Sequence, residues 1–114
     1  MRPPWRAGRT TTRGSAVSKV KVSVLYPAGE GSTFDMEYYK TKHREIVDRV
    51  LKPSEFAIEE GLPGQPFLAA GHLLFDSMEA MQAGMGSPDA GEAQSDIANF
   101  TNVTPQIQIG TVVA

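Results

Sequence analysis

The chain has 114 residues, of which 40% are hydrophobic and 21% charged, so it is long enough for one compact domain but too short for two cores. It contains no cysteine, which excludes disulfides, a thiolate nucleophile and cysteine-based metal sites. With only two histidines, His43 and His72, one subunit cannot form an all-histidine metal site, and we expect no bound metal.

Charge is distributed unevenly along the chain. Residues 1–18 contain four arginines and no acidic residue, so they carry +4, while the remainder carries −6. The acidic remainder argues against a nucleic-acid partner, which requires clustered Lys and Arg. No apolar run approaches the ~20 residues of a membrane span, so we expect no membrane partner and a cytoplasmic location.

The arginine-rich segment lacks the apolar stretch of a secretory signal and has no periodic apolar face. We therefore expect a disordered basic N-terminal extension at 1–18 and one folded domain at 19–114. A transit peptide, a start codon assigned too far upstream or a cloning remnant would also explain this composition.

The first elements of the domain are a strand and a helix. Residues 19–26 alternate apolar and polar, which predicts a half-buried strand. A turn-rich loop over 27–33 leads to a helix of about 35–51. Asp35 suits the positive end of this helix, and Pro53 stops it.

Two strands, helical segments and a last strand follow. Residues 54–61 predict a strand with one apolar side, whereas 67–75 predict a strand that is apolar on both sides. Asp76 is a candidate cap for a short helix, and a weaker helical stretch extends to about Phe100. Residues 106–113 form the last predicted strand.

The order strand, helix, strand, strand, helix, strand indicates an α+β fold of the ferredoxin-like βαββαβ type. In this fold, four antiparallel strands carry both helices on one face. Each large apolar side chain left exposed to water on the other face of 67–75 would cost ~1.5–3 kcal/mol of folding free energy. We therefore expect a homodimer that packs sheet to sheet.

Three separated segments resemble motifs of the EthD family, within the dimeric α+β barrel superfamily, and occur in that family's order. They are Phe34-Asp35 with Tyr38-Tyr39, Lys42-His43 and Ile46-Val47; the run Gly71 to Ser77 (GHLLFDS); and Asp96-Ile97, Asn99 to Thr101, Pro105 and Ile107 to Ile109. Glu45 departs from the pattern, since many relatives carry proline there.

The resemblance implies a small dimeric α+β barrel, without a bound cofactor in most members. EthD itself belongs with oxygenase systems that degrade ethyl tert-butyl ether. Wider relatives of the fold include cofactor-free monooxygenases, polyketide cyclases, lactone isomerases and haem-degrading enzymes. Fold alone does not select among these activities.

The candidate catalytic residues are Tyr39, His43 and His72. Tyr39 and His43 lie four apart on the apolar side of the first helix, so a phenol and an imidazole share one surface. If the Phe67, Leu73 and Phe75 side of its strand forms the dimer barrel, His72 points toward that helix and joins them. We favour this arrangement; with the faces reversed, the three residues cannot form one site.

On this hypothesis the protein is a cofactor-independent enzyme that acts on a hydrophobic carbonyl, lactone or phenolic compound by proton transfer or oxygenation. His43 and His72 would be the acid and base, and Tyr39 the orienting donor. Candidate ligand-binding residues are Tyr26, Tyr38, Leu74 and Asp76. Three alternatives stay open: the two histidines and Tyr39 are only structural, the protein binds an intermediate without transforming it, or one histidine binds haem or a metal.

Overall fold

The computed structural model describes residues 18–114, so the prediction for 1–18 falls, apart from Ser18, outside the described residues. The elements in chain order are β1 (Val20–Pro27), α1 (Met36–Tyr38), a π-helical turn (Tyr39–His43), α2 (Arg44–Val50), β2 (Glu55–Glu60), β3 (Phe67–Phe75), α3 (Met78–Met85), α4 (Ala90–Asp96), a 3-10 turn (Ile97–Asn99) and β4 (Gln106–Thr111). The α+β class and the predicted order are confirmed.

The four strands form one antiparallel sheet in the order β2-β3-β1-β4. In the central pair, Val22 opposes Leu73 and Ser23 opposes His72. Directly opposed residues share a face, and successive residues alternate between faces. Val22 and Leu73 therefore lie under the helices, and Ser23 and His72 lie on the opposite, open face.

The expectation that His72 lies on the helix side is wrong. His72 opposes Ser23 on β1 and Ala57 on β2, on the open face. The helix side of β3 instead carries Leu73 and Phe75, both of which are buried. Large apolar side chains gain most from burial under the helices, and the period of two then places His72 outside.

The first helix contains a wider turn than the sequence predicted. The Asp35 carboxylate caps α1 by accepting from the Tyr38 N–H at 3.1 Å. The Arg44 N–H then reaches the Tyr39 carbonyl, five residues back, which defines the π-helical turn. The helix ends one residue short of the predicted boundary, at Val50.

The prediction that Asp76 caps α3 is also wrong. The hydroxyl of Ser77 accepts from the Ala80 N–H at 3.0 Å and is the cap. The Asp76 carboxylate accepts from Lys19 Nζ at 2.9 Å instead. Within the described residues, no helix has the length and apolar character needed to cross a membrane.

An aromatic cluster packs between the sheet and the first helix. Tyr26, Phe34, Tyr39 and Phe100 meet edge to face or tilted, with ring centroids 5.0 to 5.7 Å apart. Such ring pairs contribute ~0.5–1.5 kcal/mol each beyond the area they bury. The cluster therefore fixes Tyr39, and the helical turn that follows it, against the sheet.

Candidate functional site

A cavity of about 520 Å³ lies between the sheet and the helices. Its surface is mainly apolar, and its polar lining residues are Tyr26, Tyr39, His43, Ser87, Gln94 and Thr104. The lining residues that matter below are Val22, Val24, Tyr26, Tyr39, His43 and Ile97. An apolar cavity of this size with a few converging polar groups is typical of a small-molecule site.

The π-helical turn places His43 on the cavity wall, where it pairs with Asp96 at the end of α4. The His43 Nδ1–H donates to Asp96 Oδ2 over 2.9 Å. Both residues are buried, with 4% and 7% of their surfaces exposed. Because the carboxylate only accepts hydrogen bonds, it fixes the proton on Nδ1 and leaves Nε2 as the basic nitrogen.

Asp96 is held by two further donors. The Tyr38 hydroxyl donates to Asp96 Oδ1 at 2.7 Å, and Asn99 Nδ2 donates to the same oxygen at 2.9 Å. Burial raises the pKa of Asp96, but the hydrogen bonds from Tyr38, Asn99 and His43 outweigh it and lower the pKa overall. Asp96 is therefore a carboxylate at neutral pH.

His43 is a neutral base in this setting. Burial lowers the pKa of His43, and the opposing effect of Asp96 does not restore it. Within residues 18–114, Nε2 has no hydrogen-bond partner. A neutral imidazole with one nitrogen oriented and the other available can accept a proton from a bound molecule.

Two phenols also line the cavity. Tyr26 and Tyr39 are each 1% exposed, and their ring centroids lie 5.6 Å apart. Burial raises the pKa of Tyr26 to about 12 and raises the pKa of Tyr39 further, so both hydroxyls stay protonated. Gly71 leaves room for the Tyr39 hydroxyl, since a Cβ there would overlap it.

The structure brings together three of the predicted site residues, Tyr26, Tyr39 and His43. The Tyr39 and His43 rings stack, with centroids 5.4 Å apart and planes inclined by 24°. Tyr38 is not part of the cavity wall, because its hydroxyl is directed to Asp96.

The other predicted site residues lie away from this cavity. Leu74 shares the open face of the sheet with His72, opposite Lys21 and Glu55. Asp76 is at the surface in its ion pair with Lys19. The structure therefore does not support a cavity role for Leu74, His72 or Asp76.

His72 has its own hydrogen-bond partners on the open face. Its Nε2–H donates to Glu59 Oε1 at 2.9 Å, and its Nδ1 accepts from the Ser23 hydroxyl at 3.2 Å. Both ring nitrogens are thus used by neighbouring strands. A group of three or more His, Asp or Glu side chains able to hold a metal ion is absent from the described part of the chain.

Sequence reasoning missed Asp96 as the partner of His43. Asp96 and Asn99 are three residues apart, which places them on one side of a helical segment, and both belong to the segments that resemble EthD. The available signal for Asp96 was that an acidic residue occupies a position resembling the family pattern, in a predicted helix that is only weakly amphipathic. The pairing itself joins residues 53 apart and has no local pattern.

The fold and the cavity define a class: a ferredoxin-like α+β domain with a mainly apolar cavity between sheet and helices. The EthD domain family matches residues 29–104. An EthD-like protein from Ralstonia eutropha JMP134 is similar, with 35% identity and a TM-score of 0.76 over 86% of this chain and 95% of that one. The chain belongs to the EthD family.

More distant solved structures share the fold. An ethyl tert-butyl ether D (EthD) family protein of Bacillus halodurans C-125 is 19% identical, with a TM-score of 0.66 over 83% of this chain and 99% of that one. A protein of unknown function from Thermobifida fusca YX, described as dimeric and ferredoxin-like, is 16% identical with a TM-score of 0.63. These alignments cover 84% of this chain and 92% of the Thermobifida protein. None of the curated proteins matches the chain.

Proposed function

We propose that this protein is a cofactor-independent enzyme that removes a proton from a small hydrophobic carbonyl, lactone or phenolic compound. The observation that supports it is the buried His43–Asp96 pair on the wall of an apolar cavity. The carboxylate orients the imidazole, and burial keeps the imidazole neutral.

A positioned general base of this kind contributes a rate factor of about 10²–10⁴. The carbanion or enolate that it produces is a product-forming intermediate in isomerisation and cyclisation, and it is also the form that reacts with oxygen. If the enolate reacts with oxygen, the protein is an oxidoreductase of the monooxygenase type. Such a reaction would fit a degradation pathway like that of ethyl tert-butyl ether. It requires oxygen as co-substrate.

The test measures proton transfer directly. The purified protein is incubated in D₂O with enolisable ketones, lactones and phenols, and exchange at carbon is followed by NMR, with an oxygen electrode as the second readout. We expect exchange by the wild type and a loss of at least about 100-fold in His43→Gln. His72→Gln is the matched control, because His72 lies on the other face of the sheet.

Equal exchange in the wild type and His43→Gln would reject His43 as the base. The alternative is a binding or accessory protein that sequesters a hydrophobic intermediate. It predicts that ligands of these classes bind, that none exchanges or consumes oxygen, and that His43→Gln leaves the affinity unchanged.

We also propose that the protein is a homodimer assembled through the open face of the sheet. The described dimeric state of the Thermobifida protein supports this, as do the half-buried leucines on that face. A cytoplasmic location and the absence of a bound cofactor remain predictions.

A further inference from the structure

Two buried hydroxyls at the sheet side of the cavity have fewer partners than they can use. Tyr26 and Tyr39 are each 1% exposed and both line the cavity. Each hydroxyl is close enough to the other to affect its pKa, and within residues 18–114 neither forms a hydrogen bond. Their neighbours on the sheet, Ala69 and Gly71, offer no side-chain acceptor.

A proton count follows from this geometry. Two hydroxyls carry two donor protons, and even a hydrogen bond between them would use only one. The second proton is left buried without an acceptor, which native proteins rarely tolerate. The cavity is the direction in which an acceptor can be supplied, because both rings form part of its wall.

We propose that Tyr26 and Tyr39 together bind the oxygen of the ligand, as a paired phenol donor opposite the His43 base. This inference rests on the proposed function and narrows it to compounds whose proton-bearing carbon is next to a carbonyl or enol oxygen. The Tyr39 ring lies close to both other groups, with its centroid 5.6 Å from that of Tyr26 and 5.4 Å from that of His43. One small ligand therefore spans donor and base.

The proton-transfer step balances without a further reactant. His43 Nε2 takes the proton from the carbon beside the carbonyl, and the C–H bonding pair becomes the new C=C π bond. The C=O π pair moves onto oxygen, where the phenol O–H stabilises the negative charge. Return of the proton from Nε2 to carbon restores the ketone, or gives its isomer when it returns to another carbon.

The test compares two isosteric probes, acetophenone and α-methylstyrene, in which a carbonyl oxygen is exchanged for a methylene group. Their dissociation constants are measured by NMR titration for the wild type and for Tyr26→Phe/Tyr39→Phe. We expect the preference for acetophenone to fall about tenfold in the double variant, since its carbonyl loses the phenol donor. The C=O stretching band of bound acetophenone should also move to higher wavenumber.

The single variants Tyr26→Phe and Tyr39→Phe each retain one hydroxyl and should show intermediate preferences, which keeps the test usable if the double variant does not fold. Thr111→Val is the control, because it removes an exposed hydroxyl at the end of β4 that does not line the cavity. Unchanged preference and band position in a folded double variant would overturn this inference and leave the proposed function intact. Failure of both probes to bind the wild-type cavity would count against both.

Discussion

Asp96 accepts hydrogen bonds from three different side chains. It therefore fixes the orientation and the tautomer of the His43 ring. Tyr38 and Asn99 hold one carboxylate oxygen, so the other is fixed in position for the His43 ring. An acceptor fixed in this way is a positioning group: it sets the tautomer of the His43 imidazole, which is the base in the proposed function.

Asp96→Asn should lower the pKa of His43 below its already depressed value. The carboxylate raises the pKa of His43 against the larger effect of burial, and the neutral amide removes that contribution. The amide also presents donors to Tyr38 and Asn99, so we expect a loss of about 1–3 kcal/mol of unfolding free energy. The measurements are an NMR pH titration of His43 and urea unfolding.

Asp89→Asn is the control for this experiment, because Asp89 is exposed at the start of α4. It should change neither the pKa of His43 nor the unfolding free energy by more than about 0.5 kcal/mol. A His43 pKa that stays the same or rises in Asp96→Asn would contradict the role assigned to the carboxylate.

The shifted pKa values of His43 and Asp96 should make the free energy of unfolding depend on pH. The pKa of His43 is lower in the folded than in the unfolded protein, so the unfolded state binds the proton more tightly. Unfolding free energy should therefore decrease as pH falls below about 6.5, the ordinary value for histidine. Asp96, whose pKa is also lowered, adds a second loss below about pH 4.

Thermal unfolding between pH 8 and pH 5 tests this expectation. The melting temperature of the wild type should fall across the interval, and that of His43→Gln should fall less steeply. Lys42→Gln, an exposed neighbour on the same turn, should behave as the wild type does. Parallel curves for the wild type and His43→Gln would show that His43 is not a buried neutral base.

At the scale of elements, the π-helical turn and β3 together shape the cavity. The turn brings both Tyr39 and His43 to the buried side, and Gly71 on β3 receives the Tyr39 hydroxyl. A glycine at this point on the strand is explained by that close approach. A side chain at position 71 would have to displace the phenol.

Gly71→Ala should destabilise the protein by about 1–3 kcal/mol. The added Cβ would overlap the Tyr39 hydroxyl and lie 3.0 Å from a Phe56 ring carbon. In a Tyr39→Phe background the first of these contacts is gone, so the cost of Gly71→Ala should be smaller there. Urea unfolding of the four proteins in this cycle gives the coupling between positions 39 and 71.

Gly29→Ala is the matched control for this cycle, because a Cβ at Gly29 meets nothing within 4 Å. It should change the unfolding free energy by no more than about 0.5 kcal/mol. Equal costs of Gly71→Ala with and without the Tyr39 hydroxyl would mean that the hydroxyl does not occupy the space above Gly71.

The elements were largely predictable from the sequence, whereas the site was predictable only in part. Period-two alternation in β1 and the spacing of Tyr39 and His43 are local patterns, and local patterns carry over into the fold. β3 is apolar on both sides, so its sequence does not say which side meets the helices. This ambiguity is why His72 was predicted on the wrong face of the sheet. The pairing of Asp96 with His43 depends only on tertiary contact, so no local pattern predicts it.

At the scale of the whole molecule, the open face of the sheet has no helix packed against it among the described elements. Leu25 and Leu74 are half-buried there, beside the hydrogen-bonded group of Ser23, His72 and Glu59. A second copy would cover the leucines. It would also enclose the histidine group, whose hydrogen bonds are already satisfied within one chain.

Leu25→Glu should therefore convert the proposed homodimer into a monomer. Leu25 lies on the central strand β1, opposite Ala70 and Gln106, so a carboxylate there would be buried at the interface without a partner. Such a charge costs several kcal/mol, which corresponds to a dissociation constant raised by at least about 100-fold. Light scattering coupled to size exclusion measures the molecular mass over a dilution series.

Leu62→Glu is the control, because Leu62 is 73% exposed in the loop between β2 and β3. It should leave the mass at that of two chains, as in the wild type. Since the cavity lies on the other face of the sheet, monomeric Leu25→Glu should still bind acetophenone in it. A wild-type protein that has the mass of one chain at micromolar concentration would reject the dimer, and the open face would then be a solvated surface.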